Sequence, residues 1–316
     1  MSFTVEQELR HQGICDSSGA IALDRNHFVV ANDEDNLLRV YAAHQSGHPI
    51  FTQDINAFFE NNPDAKEVDL EAAAQLGDII YWITSHGRNK KGKFKPERHQ
   101  FFASRLSDRN TFEVEQVGRS YIQLVLEDML NDPRLDRYAI REAEQLPPKE
   151  PGGLNIEGLS ITPEGELLIG FRSPVVRGNA LLVPLKNPDA LVAGAKAILG
   201  DPIELDLDGL GIRSIEYWAS QNCYLIVAGA GDGGDRFALY QWSGTSESPR
   251  LISGTGMPYD FHPEGVLFYG EEGDRFQLLS DDGSLVRVGD LPCKEVEDAQ
   301  HPQKYFRSLW VKVHQG

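Results

Sequence analysis

Four glutamates stand at the heads of apolar stretches. They are Glu71 in VDLEAA (68–73), Glu157 in NIEGLS (155–160), Glu216 in IRSIEYW (212–218) and Glu264 in FHPEGVLFY (261–269). A carboxylate is ionised at neutral pH, and a buried strand offers it no counter-charge. Four such groups facing one another repel, so an arrangement that gathers them needs compensation. Two kinds are open. One is a divalent cation that takes oxygen ligands, Ca2+ or Mg2+, held by Glu71, Glu157, Glu216 and Glu264. The other is arginine, since Arg98, Arg172 and Arg213 fall at strand ends near the same face. In that second reading each glutamate accepts Arg or backbone N–H bonds that tie neighbouring sheets together. Repetition favours it, because a catalytic residue is usually unique whereas a structural device recurs.

The elements that must position these groups form a repeat. With Ser18 in the first place, the anchors Ser18, Glu71, Glu157, Glu216 and Glu264 recur about every 50 residues once one insertion is set aside. Each unit begins with an apolar strand at the anchor: GAIAL, EAAAQ, GLSIT, EYWAS or GVLFY. A strongly apolar second strand follows: HFVVA (27–31), IIYWIT (79–84), LLIGF (167–171), YLIVA (224–228) or FQLLS (276–280). Third strands alternate, as in LLRVYA (37–42) and FALYQW (237–242), and weaker fourth strands include PIFTQDI (49–55) and TFEVEQV (111–117). A unit of this size and plan is one four-stranded propeller blade. The reading is an all-β, five-bladed β-propeller in one domain over 1–316, with six blades as the alternative. The fifth unit ends at YFRSLWVKV (305–313) without an outer strand, and the N-terminal FTVEQELR (3–10) is expected to supply it and close the ring. Residues 120–150 form a small helical insertion between the second and third blades. Ile122, Val125, Leu126 and Met129 follow helical spacing there, and Asp132-Pro133 starts a second helix.

In an antiparallel hairpin the start of the first strand and the end of the second share one end. The segments after the second strands are polar or glycine-rich: NDEDN (32–36), SHGRNKKG (85–92), RSP (172–174), GAGDGGD (229–235) and DDG (281–283). Anchors and loops should therefore meet around one mouth of the central channel. There His86 would serve as acid or base, with Arg98 and Arg172 facing an anionic substrate. The basic run SHGRNKKGKFKPER reads equally as a solvated hairpin. GAGDGGD is neither a phosphate loop nor a dinucleotide loop, since no helix follows; Asp232 and Asp235 are candidate oxygen ligands. NDEDN resembles a calcium loop in composition only, and DSSGA around Ser18 lacks a nucleophile elbow.

Composition excludes some classes. The 41% hydrophobic and 25% charged content fits a globular chain, and the net charge of -18 repels a nucleic-acid backbone. No run is long enough to span a membrane, and the N-terminus has no signal-peptide pattern. Cys15, Cys223 and Cys293 are odd in number and widely spaced, which points to free thiols and a cytoplasmic location.

NIEGLSITPEGELLIGFRSP, AGAGDGGDRFALYQW, HPEGVLFY and SHGRNKKGKFKPERHQFFASRL together resemble an uncharacterised bacterial family of unknown function, similar in style to phytase-like and esterase-like propellers. The resemblance runs from about residue 12 to 310, apart from the insertion. Such propellers also begin blades with EG pairs, here Glu157-Gly158 and Glu264-Gly265. It implies calcium binding and action on esters or phosphoesters, although the dense acidic runs of a calcium-rich phytase are missing. The functional expectation is a metal-assisted hydrolase of a small anionic ester or phosphoester. The alternative is a non-catalytic ligand-binding or protein-interaction scaffold.

Overall fold

The computed structural model describes residues 1–108, 111–234, 236–270 and 273–314. Strands dominate, and their period-2 patterning sorts side chains into buried faces between sheets. Three sheets are four-stranded meanders in chain order. The first holds Ala20–Ala22, His27–Val30, Leu37–Ala42 and Phe51–Asp54. The second holds Leu70–Leu76, Ile79–Thr84, Phe101–Asp108 and Glu113–Tyr121. The third holds Asn155–Ile161, Leu167–Ser173, Asn179–Leu185 and Ile203–Asp206.

A fourth sheet has eight strands, because two meanders are joined edge to edge. One half runs Gly211–Trp218, Cys223–Gly229, Phe237–Trp242 and Arg250–Thr255. The other runs Pro263–Leu267, Arg275–Ser280, Tyr305–His314 and finally Ser2–Gln12. The N-terminal strand thus takes the outer place, antiparallel to Tyr305–His314, as expected. It also does something the pattern did not announce. Ser2, Phe3 and Thr4 pair in parallel with Ser253, Gly254 and Thr255, which welds the two halves together.

The strands beginning at Ala20, Leu70, Asn155, Gly211 and Pro263 touch one another in cyclic order, the last against the first. Apolar clusters fill the spaces between successive sheets. Trp82, Phe102 and Val68 lie between the first and second sheets, and Phe101, Ile156 and Ile169 between the second and third. Ile212, Ile226 and Leu182 pack between the third sheet and the next half-sheet. Burial of these faces is the main stabilising contribution.

The insertion differs from two regular helices. The last strand of the second sheet runs on to Tyr121. Leu124–Met129 is then a π-helical turn, followed by a 3-10 turn at Asp136–Tyr138 and a single α-turn at Ile140–Ala143. The wide turn moves the buried face to Leu124, Val125 and Met129 and leaves Ile122 exposed. This face packs between the second and third sheets.

The expectation of free thiols is overturned. Cys15 and Cys293 form a disulfide, with Cα atoms 5.8 Å apart, and among the described cysteines only Cys223 is free. Their separation of 278 residues hid the pair, because only ring closure brings the two ends of the chain together. Among the described residues, no helix is long and apolar enough to cross a membrane.

Two outcomes test this closure. The Phe3 ring lies where a side chain at Gly254 would sit, 2.0 Å from a built Cβ. Gly254→Ala should lower stability by about 1–3 kcal/mol in thermal denaturation. Unfolded, unreduced protein should titrate one thiol with a thiol reagent, and three after reduction.

Candidate functional site

At the head of four inner strands the hydrogen-bond ladder slips by one residue. The slips fall between Leu70 and Ala72, Ile156 and Gly158, Ile212 and Ser214, and Pro263 and Gly265. The residues left over are Glu71, Glu157, Arg213 and Glu264. A bulge residue is unpaired and its side chain is re-aimed. In the first sheet Ser18 holds the matching place: its N–H donates to Ala31 O at 3.2 Å, and the Ala31 N–H donates to Gly19 O at 2.8 Å. A small residue follows each of these positions: Gly19, Ala72, Gly158, Ser214 and Gly265. The inner strands approach too closely for more, and a Cβ on Gly19 would stand 2.8 Å from the Ala72 backbone.

This register corrects one anchor. The fourth inner strand begins at Gly211, so Glu216 lies near its end and Arg213 occupies the bulge. Glutamate was the wrong marker there, whereas the small residue after the anchor would have found the position. Oxygens of Glu71, Glu157 and Glu264 lie within 4.8 Å of one another, and Glu216 is not among them. Glu216 lines the same narrow void, with Ser18 and the three clustered glutamates. The void measures about 10 Å3, close to the least that holds one water.

Arginines compensate part of this charge, as anticipated for Arg172 and Arg213. Arg172 Nη1 donates to Glu157 Oε1 at 2.6 Å, and Asn155 Nδ2 donates to the same oxygen at 2.6 Å. Arg213 pairs with Glu264 and stands 3.5 Å from Glu157 Oε2 and 3.8 Å from Asp281. Among the described residues, Glu71 alone of the three has no arginine ion pair. Burial, and then the charges of Glu157, Asp69 and Asp33, hold its carboxyl well above the ordinary range. The Ser18 hydroxyl, 4% exposed and lining the void, has no hydrogen-bond partner among the described residues.

The three residues assigned to substrate are already engaged. Arg98 pairs with Asp69 at 2.9 Å and with Glu67. Arg172, besides holding Glu157, donates from Nε to Ala230 O at 3.0 Å. His86 is 1% exposed, and its Nδ1 donates to Thr84 O at 2.9 Å. Burial lowers its pKa to about 4, so the ring is neutral at physiological pH, and Nε2 is enclosed without a partner. Next to Arg172 opens a cleft of about 470 Å3, lined by Ser173, Val175, Leu210, Gly231, Asp232 and Arg236 among others. Asp232 therefore borders an open space; Asp235 lies outside the described residues.

Comparison with known proteins adds a family match over part of the chain, and a fold. Residues 107–254 match the family described as a protein of unknown function (DUF3616). The match bears out the resemblance to a family of unknown function, over a span shorter than expected. No curated protein matches the chain. Among solved structures, the glutaminyl cyclase of Myxococcus xanthus is similar at 11% identity and a TM-score of 0.52, covering 99% of this chain and 98% of that one. A GH43 beta 1,3 galactosidase with galactodeoxynojirimycin is similar at 9% identity and a TM-score of 0.52, covering 99% and 95%. At such identities the likeness concerns fold alone, and the fold is β-propeller-like.

Glu216 gives a test of the channel interior. Burial pushes its pKa up to about 8, so the folded state retains a proton that the unfolded chain releases near pH 4.5. Its contribution to stability is complete below that lower value and is lost as pH rises through 8. Glu216→Gln should raise the melting temperature at pH 8 to 9, with little change at pH 5, in a thermal-melt series across pH.

Proposed function

We propose that the protein is a five-bladed β-propeller that holds one divalent cation, Ca2+ or Mg2+, at its channel mouth and acts there on a small anionic ester or phosphoester. The cyclic contact of the five inner strands supports the blade count. One observation carries the cation: three carboxylates from separate meanders bring oxygens within 4.8 Å of each other. The donor set is all hard oxygen, which suits these ions. The void is ion-sized, and the unpartnered Ser18 hydroxyl supplies a further oxygen. Arg172 and Arg213 set against Glu71, Glu157 and Glu264 leave a net negative charge when all are ionised.

Bound there, the cation would polarise a carbonyl or phosphoryl oxygen as a Lewis acid. The chain's own part is placement. Glu157 and Glu264 are fixed by arginine and Glu71 is left available. In the neighbouring cleft, Arg236 offers a positive charge and Ser173 a hydroxyl to an anionic substrate, while Leu210 and Val175 give apolar walls. Arg172 joins the two places, with one bond to Glu157 and another to Ala230 in the cleft wall. The internal commitments of Arg98, Arg172 and His86 favour a second reading, a non-catalytic ligand-binding scaffold. The Cys15–Cys293 disulfide favours an oxidising compartment over the cytoplasm.

Calorimetric titration of chelator-treated protein should show Ca2+ or Mg2+ binding, weakened about tenfold or more by Glu71→Gln. A panel of carboxylesters and phosphoesters, assayed with Ca2+, Mg2+ and Mn2+, then separates the readings. Turnover that Glu71→Gln abolishes supports the hydrolase, whereas cation binding without any turnover leaves the scaffold.

A further inference from the structure

A second set of carboxylates meets on the rim beside the three glutamates, near enough for the charge of Asp33 to act on Glu71. Asp16 lies just before the first inner strand, and Asp33 and Glu34 lie in the loop after His27–Val30. One oxygen from each falls within 4.8 Å of the others. The NDEDN segment has no calcium-loop spacing of its own, but the fold supplies Asp16 from outside it.

The corner is built and rigid. Cys15 precedes Asp16 and Cys293 precedes Lys294, so the disulfide fixes both neighbours. Asp16, 6% exposed, is bridged through its backbone to Asp281, and their carboxyl groups share a hydrogen bond. Asp281 in turn faces Arg213 at 3.8 Å. Lys294 Nζ reaches Glu34 at 2.8 Å. Neither Asp16 nor Asp33 has a cationic partner at ion-pair distance among the described residues.

Asp33 points to what is missing. Its Oδ1 is closed to solvent and has no hydrogen-bond partner among the described residues. Asp16, Asp69, Asp281 and Glu34 surround it with like charge. An enclosed carboxylate oxygen without a donor is destabilising, and a hard cation satisfies several such oxygens at once. We propose that Asp16, Asp33 and Glu34 hold a second divalent cation, Ca2+ or Mg2+, on the channel rim. This site shares no ligand with the Glu71–Glu157–Glu264 site. An ion there ties the entry of the first inner strand to the loop that follows its partner.

The test is calorimetric titration of the oxidised, chelator-treated full chain with CaCl2 and with MgCl2, for wild type, Asp33→Asn, Glu34→Gln and Glu71→Gln. Two equivalents are expected for wild type. Asp33→Asn and Glu34→Gln should each weaken one of them about tenfold or more and spare the one that Glu71→Gln removes. Glu34 is exposed, so its variant tests the site even if Asp33→Asn fails to fold, which a thermal melt reports. A single equivalent, abolished by Glu71→Gln and untouched by Glu34→Gln, overturns the rim site alone. A single equivalent with the opposite response supports the rim site and removes the cation from the proposed function. Absence of binding overturns both.

Discussion

A bulge at the head of an inner strand frees one side chain from the ladder and turns it toward the axis, where an uncompensated charge is costly. The pairing of charges among the bulge residues follows from that constraint. The bulge positions of the eight-stranded sheet illustrate it: one carries Arg213 and the next carries Glu264, and the two pair across the boundary between meanders. Glu157 accepts from Asn155 and Arg172 on Oε1, and the Arg213 guanidinium stands 3.5 Å from Oε2. The sheets are therefore joined at the centre by charge as well as by apolar packing.

The two readings of the glutamates were posed as alternatives, and the geometry divides the residues between them. Glu157 and Glu264 behave as structural acceptors of arginine. Among the described residues Glu71 has no arginine ion pair and the Ser18 hydroxyl no hydrogen-bond partner, and Oε2 of Glu157 also lacks a hydrogen bond. Breaking a buried pair leaves a charge uncompensated, so the arginines constrain where any ligand can sit.

Much of the architecture was legible because period-2 runs are a local property. Ile79–Thr84, Leu37–Ala42 and Phe237–Trp242 match the strands read from the chain residue for residue. The meeting of anchors with loops was also readable, since it needs only the antiparallel hairpin. Register was harder. Glu216 drew attention by its charge, whereas the bulge at Arg213 depends on backbone pairing that side-chain type does not reveal. The π-turn at Leu124–Met129 shows the same limit, because helical spacing cannot tell a wide turn from a regular one. Long-range partners were invisible for another reason. The disulfide arises only when the ring closes, whereas Asp16 meets Asp33 through the register of the first hairpin, where Ser18 pairs with Ala31.

The strand Ser2–Gln12 finds its main partner at Tyr305–His314, at the far end of the chain. During synthesis it must wait, with its hydrogen-bonding edge open, until almost everything else has been made. Glu6, Glu8 and Arg10 are exposed along it, and charges at such positions discourage pairing with a neighbouring molecule. These exposed charges thus guard a vulnerable stage of biogenesis as well as the finished fold.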